Sequence, residues 1–235
     1  MSHCSPIEQN YFTAENLIYD CEHFHLEASF SCEQNTMTSI VGPSGSGKST
    51  VLRLIAGLEK PTESTKITLD HLDITHALPA KRGVGMVFQK ANLFNHMRVD
   101  DNVAYGLRCA GMRKKESRER AAEFLKKFNL EGFGARSPET LSGGEAQRVA
   151  LARTLITKPK LILFDEPLSA LDAPLRKKLA TEIRSLQKEF GFTGIMVTHD
   201  INEAKAVSDR IILIKDGRIT WQGEAGAFDE KMLNH

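Results

Sequence analysis

Apolar and polar positions along the chain follow two periods. Short β-branched or apolar runs at residues 38–41, 85–88, 161–164, 194–198 and 210–214 have the length and composition of buried strands. Between them, Val51, Leu52, Ile55 and Leu58 share one face of a helix over residues 49–58, and Leu175, Leu179, Ile183, Leu186 and Phe190 repeat that spacing later. Signals in this order predict an α/β fold with a mostly parallel sheet and helices packed on it. From about Lys90 to Lys158 no strand pattern occurs; helical periodicity dominates, broken at Gly132-Phe133-Gly134 and Ser137-Pro138. The pattern predicts one domain, 1–235, with a helical lobe (90–157) inserted into a core lobe made of 1–89 and 158–235. Internal repeats and low-complexity segments are absent, which excludes a solenoid or a tandem second copy.

Composition narrows the function. With 31 Lys and Arg against 30 Asp and Glu, the chain lacks the basic footprint of a nucleic-acid binder, so no nucleic-acid partner is expected. The densest charge cluster, residues 113–120, interleaves Glu116 and Glu119 with its bases and runs into Ala121, Ala122, Leu125 and Phe128; it reads as the solvated face of an amphipathic helix. Cys4, Cys21, Cys32 and Cys109 are scattered, without CxxC pairs or a partner His at ligand spacing, which fits a reducing cytosol. Residues 1–10 lack a basic start and an apolar run, so neither a signal peptide nor lipidation of Cys4 is expected. No apolar stretch approaches the ~18 residues that span a bilayer. Any membrane role is therefore expected to come through partner subunits.

The candidate chemistry begins at Gly42-Pro43-Ser44-Gly45-Ser46-Gly47-Lys48-Ser49, followed by Thr50, a G-x-x-x-x-G-K-[ST] loop placed after an apolar strand and before an apolar-periodic helix. Its glycines allow backbone N–H groups to wind around a β-phosphate. Lys48 suits β- and γ-oxygens, and the Ser49 hydroxyl suits Mg²⁺. Residues 161–166 form a buried-strand run ending in Asp165 and Glu166, at the strand edge where ligands bind in α/β sheets. Asp165 fits a metal shell, and Glu166 fits a general base that polarises the attacking water. Gln89 ends another strand and could touch Mg²⁺ or the lytic water; His199 ends a third and could bond a γ-phosphate oxygen. Far downstream, Leu141-Ser142-Gly143-Gly144-Glu145 reads as a second phosphate-reading helix start. One nucleotide already fills the first loop, so the second element is expected to close on a neighbour's phosphate. It implies a second copy of the chain.

In this order, GPSGSGKST, Gln89, LSGGE, LILFDEP, Ser169-Ala170-Leu171-Asp172 and His199 resemble the nucleotide-binding subunit of ABC transporters over nearly the whole chain. The resemblance implies a P-loop NTPase with a RecA-like core, an N-terminal antiparallel β region and an inserted helical lobe. Two ATP molecules, with Mg²⁺, would lie head to tail between copies. Ser142, Gly143 and Gly144 of one copy would cap the nucleotide held by Lys48 of the other, with Asp172 at the dimer seam, Glu166 as base and His199 as γ-phosphate sensor. It further implies an aromatic on the adenine, for which Tyr19 is the choice on spacing and Phe24 the second; a plain strand face fits Tyr19 equally. The partners implied are transmembrane permease subunits and a periplasmic or lipoprotein solute-binding protein, with the chain peripheral on the cytoplasmic face of the inner membrane.

Phe88-Gln89, residues 92–96, Val99, Asn102-Val103 and Gly106-Leu107 look like bacterial importers of small solutes such as thiamine, iron(III), polyamines and sulfate. Residues 216–223 are most similar by eye to the thiamine importer's ATPase. Export, lipoprotein-release and soluble non-transport members of the family are the alternatives. The stretch after Gly223 is short where several sugar and sulfate importers carry a regulatory domain, so regulation of that kind is not expected. Leu93, Phe94 and Met97 are candidates for a permease-docking groove or for lobe core. Glu145 departs from the family's usual Gln, and S-x-x-E predicts a capping box in which its carboxylate bonds back to Ser142. The turns at Gln34-Asn35 and Glu63-Ser64 lack the family's glycine, so local rearrangement is expected there.

Overall fold

The computed structural model describes residues 10–21 and 24–233; the expectations for the N-terminal stretch and Cys4 lie outside the described residues, Asn10 excepted. The chain runs β1 (Phe12–Cys21), β2 (Phe24–Cys32), β3 (Met37–Val41), α1 (Lys48–Ala56), β4 (Lys66–Leu69), β5 (Leu72–Asp73), β6 (Val84–Val87), α2 (Val99–Cys109), α3 (Lys114–Lys126) and α4 (Gly143–Leu155). It continues through β7 (Leu161–Asp165), α5 (Ala173–Phe190), β8 (Thr193–Val197), α6 (Ile201–Val207), β9 (Arg210–Lys215) and β10 (Arg218–Glu224). Among the described residues no helix is long and apolar enough to cross a membrane.

All ten strands form one sheet in the order β5-β4-β1-β2-β10-β9-β3-β8-β7-β6. The strands read from apolar runs make its parallel block, β9-β3-β8-β7-β6. The other half is antiparallel, with β1 on β2 and β4, β4 on β5, and β10 on β9, apart from a parallel contact of β10 with β2; the antiparallel N-terminal region agrees with the resemblance, and the expectation of a mostly parallel sheet is corrected to a mixed one. The physical reason is exposure. Strand β10 alternates exposed and half-buried residues along its whole length, and half-solvated strands lack the continuous apolar run that marks a buried parallel strand.

Period-two alternation splits the core between the sheet's faces. On β7, Leu161 and Leu163 join Val51, Leu52 and Ile55 of α1 and the N-terminal strands, whereas Ile162 and Phe164 join residues of α2 to α5. On β8, Ile195 and Val197 take the first face and Met196 the second. Each fully buried side chain of this size contributes about 1.5–3 kcal/mol over its exposed state, so both faces anchor the strand ends that carry the site.

Between β6 and β7 only helical elements occur. The charged run of α3 buries Ser117, Ala121 and Leu125. It is not solvated throughout: Arg118 donates from Nε to the buried Asp101 of α2 at 2.9 Å, which ties the two helices together. Of the two glycine-less turns, Asn35 adopts the left-handed conformation (φ 60), while neither Glu63 nor Ser64 does. The second turn is rebuilt around Thr65 N–H donating to the Thr62 carbonyl at 3.1 Å, which needs no positive φ.

Candidate nucleotide-binding site

The loop after β3 is shaped by close backbone approach. A Cβ at Gly42 (φ 153) would lie 2.0 Å from the Ile214 carbonyl oxygen, and one at Gly47 (φ 98) would lie 2.6 Å from Cζ of Phe24. Gly47 ends the loop as the N-cap of α1, which has no side-chain cap and no acid in its first turn, so its leading N–H groups are free to face an anion. Ser46 is buried with its hydroxyl unpartnered. Lys48 is 6% exposed, and its Nζ donates to the carbonyls of Gly42 at 2.9 Å and Pro43 at 2.7 Å. Burial pushes its pKa down, opposed by the nearby charges of Glu166 and Asp165.

Strand β7 delivers both acids of its terminus to this loop. Ser49 Oγ donates to Asp165 Oδ1 at 2.7 Å, joining two hard oxygen donors. Among the described residues no cluster of three or more His, Cys, Asp or Glu forms an all-protein cage. Two hard oxygen donors suit an ion such as Mg²⁺, which keeps waters and takes substrate phosphate oxygens. Glu166 sits in the left-handed region (φ 46), its N–H held by the Val197 carbonyl at 3.0 Å and its carbonyl by Ser169. Such strained non-glycine residues persist only where their surroundings over-determine them. Its Oε2 lies 3.2 Å from Nδ1 of His199, which is half-exposed just beyond β8.

Tyr19, Phe24, Ser44, Gly45, Gly47, Lys48, Ser49, Thr50, Glu166 and Cys21 line one cleft of about 410 Å³. Both candidate aromatics thus flank the loop. Asp165 and His199 reach the cleft through Ser49 and Glu166. Gln89 lies exposed past β6, and its strand register sets Val87 beside Phe164, one residue before Asp165.

Residues 141–145 do not line this cleft. Leu141 packs on the helical core, and Ser142 is the N-cap of α4. Glu145 Oε2 accepts from Ser142 N at 2.7 Å and Ser142 Oγ at 2.8 Å, while the Glu145 N–H donates to Ser142 Oγ at 3.4 Å. The expected capping box is present. The Ser142 backbone N–H, then its hydroxyl, holds the Glu145 carboxyl below its ordinary pKa. Gly144 is buried against Leu175, and Gly143 is exposed near Leu171. Asp172 is exposed and caps α5, its Oδ1 accepting from Leu175 N at 2.9 Å.

A family model described as ABC transporter matches residues 26–169, more than half of the chain. The chain belongs to the ABC transporter family. Its fold is that of the ABC ATPases. A solved structure of cbiO1 from Clostridium perfringens, part of the ABC transporter complex cbiONQ, has a TM-score of 0.85 at 30% identity, covering 94% of this chain and 92% of that one. An ABC ATPase solved as a dimer in a post-hydrolysis state with ADP and Pi has a TM-score of 0.78 at 34% identity, covering 92% of this chain and all of that one. Among curated relatives, the Fe(3+) ions import ATP-binding protein FbpC 1 of Rhizobium meliloti is 53% identical over 197 residues, 84% of this chain and 56% of that protein. FbpC of Escherichia coli O157:H7 is 50% identical over 186 residues, 79% of this chain and 53% of that protein. The chain thus spans little more than half the length of these relatives.

Within this ABC fold, Gln147 and Arg153, not singled out from the sequence, tie site segments together. Gln147 of α4 is buried and donates to the Phe88 carbonyl at 3.2 Å, and Arg153 donates to the carbonyls of Asn92 at 2.9 Å and Ala91 at 3.0 Å. The helix that begins with the signature residues therefore grips the segment around Gln89. Asn102, fully buried, bonds the backbone of Phe94, Met97 and Arg98. Leu93 packs on the lobe core, whereas Phe94 lies 4.9 Å from the exposed Tyr105, ring centroid to centroid.

Proposed function

We propose that this chain hydrolyses ATP as a head-to-tail pair of copies and thereby powers iron(III) import through permease subunits in the inner membrane. One observation carries the hydrolytic reading: Lys48, the Ser49–Asp165 pair and the Glu166–His199 contact converge on one cleft, while the signature helix start lies outside it. A phosphate reader without a phosphate site of its own is completed by a partner copy. The relatives described above carry iron(III) import in their names, which favours that cargo over thiamine.

In this reading the loop N–H groups and Lys48 hold the β- and γ-phosphates. Tyr19 or Phe24 faces the adenine. Ser49 and Asp165, together with Gln89, would hold Mg²⁺, which would supply positive charge to the phosphate groups. Glu166 orients water for in-line attack, and His199 bonds a γ-oxygen while holding Glu166 in place. The partner's Ser142, Gly143 and Gly144 close over the γ-phosphate, with Asp172 at the seam. ADP lacks that phosphate, so hydrolysis removes the differential affinity that kept the pair closed. The α4 contacts to residues 88–92 pass the motion to the Phe94–Tyr105 surface, where a permease docks on the cytoplasmic side. A periplasmic or lipoprotein iron-binding protein would deliver the cargo.

The test is Glu166→Gln. It is expected to keep ATP binding, lose turnover by about 10²-fold or more, and accumulate as an ATP-stabilised dimer by size exclusion. Unimpaired turnover would overturn the catalytic reading. Cargo is read from reconstituted transporter: uptake of iron(III), and not thiamine, supports the assignment.

A further inference from the structure

Behind the site, between α5 and α6, a cavity of about 440 Å³ is lined by Arg176, Asp200 and Glu203 among others. The Asp200 carboxylate caps α6 through Oδ1, accepting from Asn202 N at 2.9 Å and Glu203 N at 3.1 Å. Its other oxygen, Oδ2, accepts from Arg176 Nη1 at 3.3 Å. The second amino group of Arg176, Nη2, donates to the Leu171 carbonyl at 3.0 Å. Leu171 directly precedes Asp172, and Asp200 directly follows His199. From beneath, Thr198 Oγ1 accepts from Asp200 N at 3.0 Å and donates to the buried Glu203 at 3.1 Å, fixing the backbone on the other side of His199. One planar guanidinium thus spans the two segments that end the γ-phosphate sensor and the dimer seam.

We propose that Arg176 is a positioning residue that makes the orientation of His199 depend on the Leu171–Asp172 segment, and so couples the two nucleotide sites of a pair. The inference rests on the head-to-tail hydrolytic reading above. Its chemistry is particular to arginine. A rigid fork serves two acceptors at once, whereas a lysine ammonium on a flexible stem fixes neither direction. The segment at Asp172 is the part of each copy that meets its partner at the seam, so its displacement is transmitted through Arg176 and Asp200 to the group that reads the γ-phosphate and touches Glu166.

The experiment compares the parent with Arg176→Met and Arg176→Lys in steady-state ATP hydrolysis. Small misplacements of catalytic groups cost rate steeply, so Arg176→Met is expected to lower kcat about tenfold and Arg176→Lys about threefold, with KM within about twofold. The Hill coefficient for ATP should fall towards one in both. A packing role of the side chain's stem would leave cooperativity intact in Arg176→Met. Thermal melting run in parallel identifies a loss that merely tracks unfolding, and such a loss overturns the proposal, as do an unchanged kcat and Hill coefficient. Hydrogen exchange in nucleotide-free protein supplies a readout independent of turnover. Arg176→Met should raise exchange at residues 197–204 and 169–173 together, and unchanged exchange at 197–204 overturns the strut. A parent that fails to hydrolyse ATP refutes the hydrolytic reading instead, and the exchange measurement still decides the link between the two segments.

Discussion

The phosphate loop at residues 42–49 and the helix start at residues 142–145 both present backbone N–H groups, and they are supported in opposite ways. The loop leaves the start of α1 uncapped and is held from outside, by the Ile214 carbonyl against Gly42, the Phe24 ring against Gly47 and the ammonium of Lys48. The start of α4 supports itself through Ser142 and Glu145. An element held in shape by its own subunit can leave its N–H groups bare. One that faces a neighbour must stay formed while that neighbour is away, and Ser142 and Gly143 are exposed here. The capping box meets that requirement and turns the Glu145 charge back onto its own helix.

The strongest way to break the contrast is at the loop. Lys48→Ala is expected to lower ATP turnover by roughly 10³-fold and to weaken nucleotide binding in the isolated subunit, measured by fluorescent-nucleotide titration. Ser142→Arg should cost about 10²-fold in turnover while leaving that titration within about twofold, because it obstructs only the partner's site. Weakened binding in the isolated Ser142→Arg subunit would show that residues 142–145 serve their own nucleotide.

Two carboxylates, one behind the site and one at the start of α4, titrate out of their ordinary range with opposite signs. In α6, burial raises Glu203 from 4.5 to about 7, opposed by the Thr198 hydrogen bond and helped by the charge of Asp200. A raised carboxyl pKa means the folded state binds the proton more tightly, so stability falls as pH rises from about 4.5 to about 7, by up to about 3 kcal/mol. Glu203→Gln should abolish that decline, read as the difference in melting temperature between pH 5 and pH 8. Glu145 is the reverse case: its lowered pKa gives stability that is present above the unfolded value and lost as pH falls through the folded one. The smallest expected effect is Glu145→Gln, because glutamine also closes a capping box. ATPase activity should stay within about threefold of the parent and melting at neutral pH within about 2 °C, whereas a loss comparable to Ser142→Arg would show that the carboxylate acts on the nucleotide.

How far these regions could be read from the chain follows the same division. Strands β3, β7, β8 and β9 are buried on both faces and the edge strand β6 is half-buried, so their apolar runs mark them to within a residue or two at each end. The loop and the capping box are local in sequence, and a local motif carries its own spacing. Strands β1, β2 and β10 carry no such run: β1 is broken by the bulge between Ala14 and Leu17, and β2 and β10 alternate exposed with buried or half-buried residues, a weaker signal than a continuous apolar stretch. The linkage of Arg176, Asp200 and Glu203 was invisible for another reason. Charged residues at helical spacing look like a solvated face, and only the packing of α6 against α5 brings Arg176 to Asp200 and buries Glu203. Arg82 illustrates the same effect. It is 4% exposed and donates to the carbonyls of Leu54, Ile55, Thr75 and Ala77, closing the end of α1 from a segment that reads as polar loop.

The two carbonyl bonds of Lys48 bear on how fast and how selectively the cleft can fill. An ammonium has three N–H donors, and here two are already directed at Gly42 and Pro43. A free lysine carries about 2 kcal/mol of rotamer entropy that a binding event would have to remove. In this chain folding has removed it, so an arriving phosphate meets a cation that is stationary, partly dehydrated and open in one direction. Such a site adds one directed hydrogen bond to its positive charge, and an anion that offers an oxygen along that remaining direction gains both.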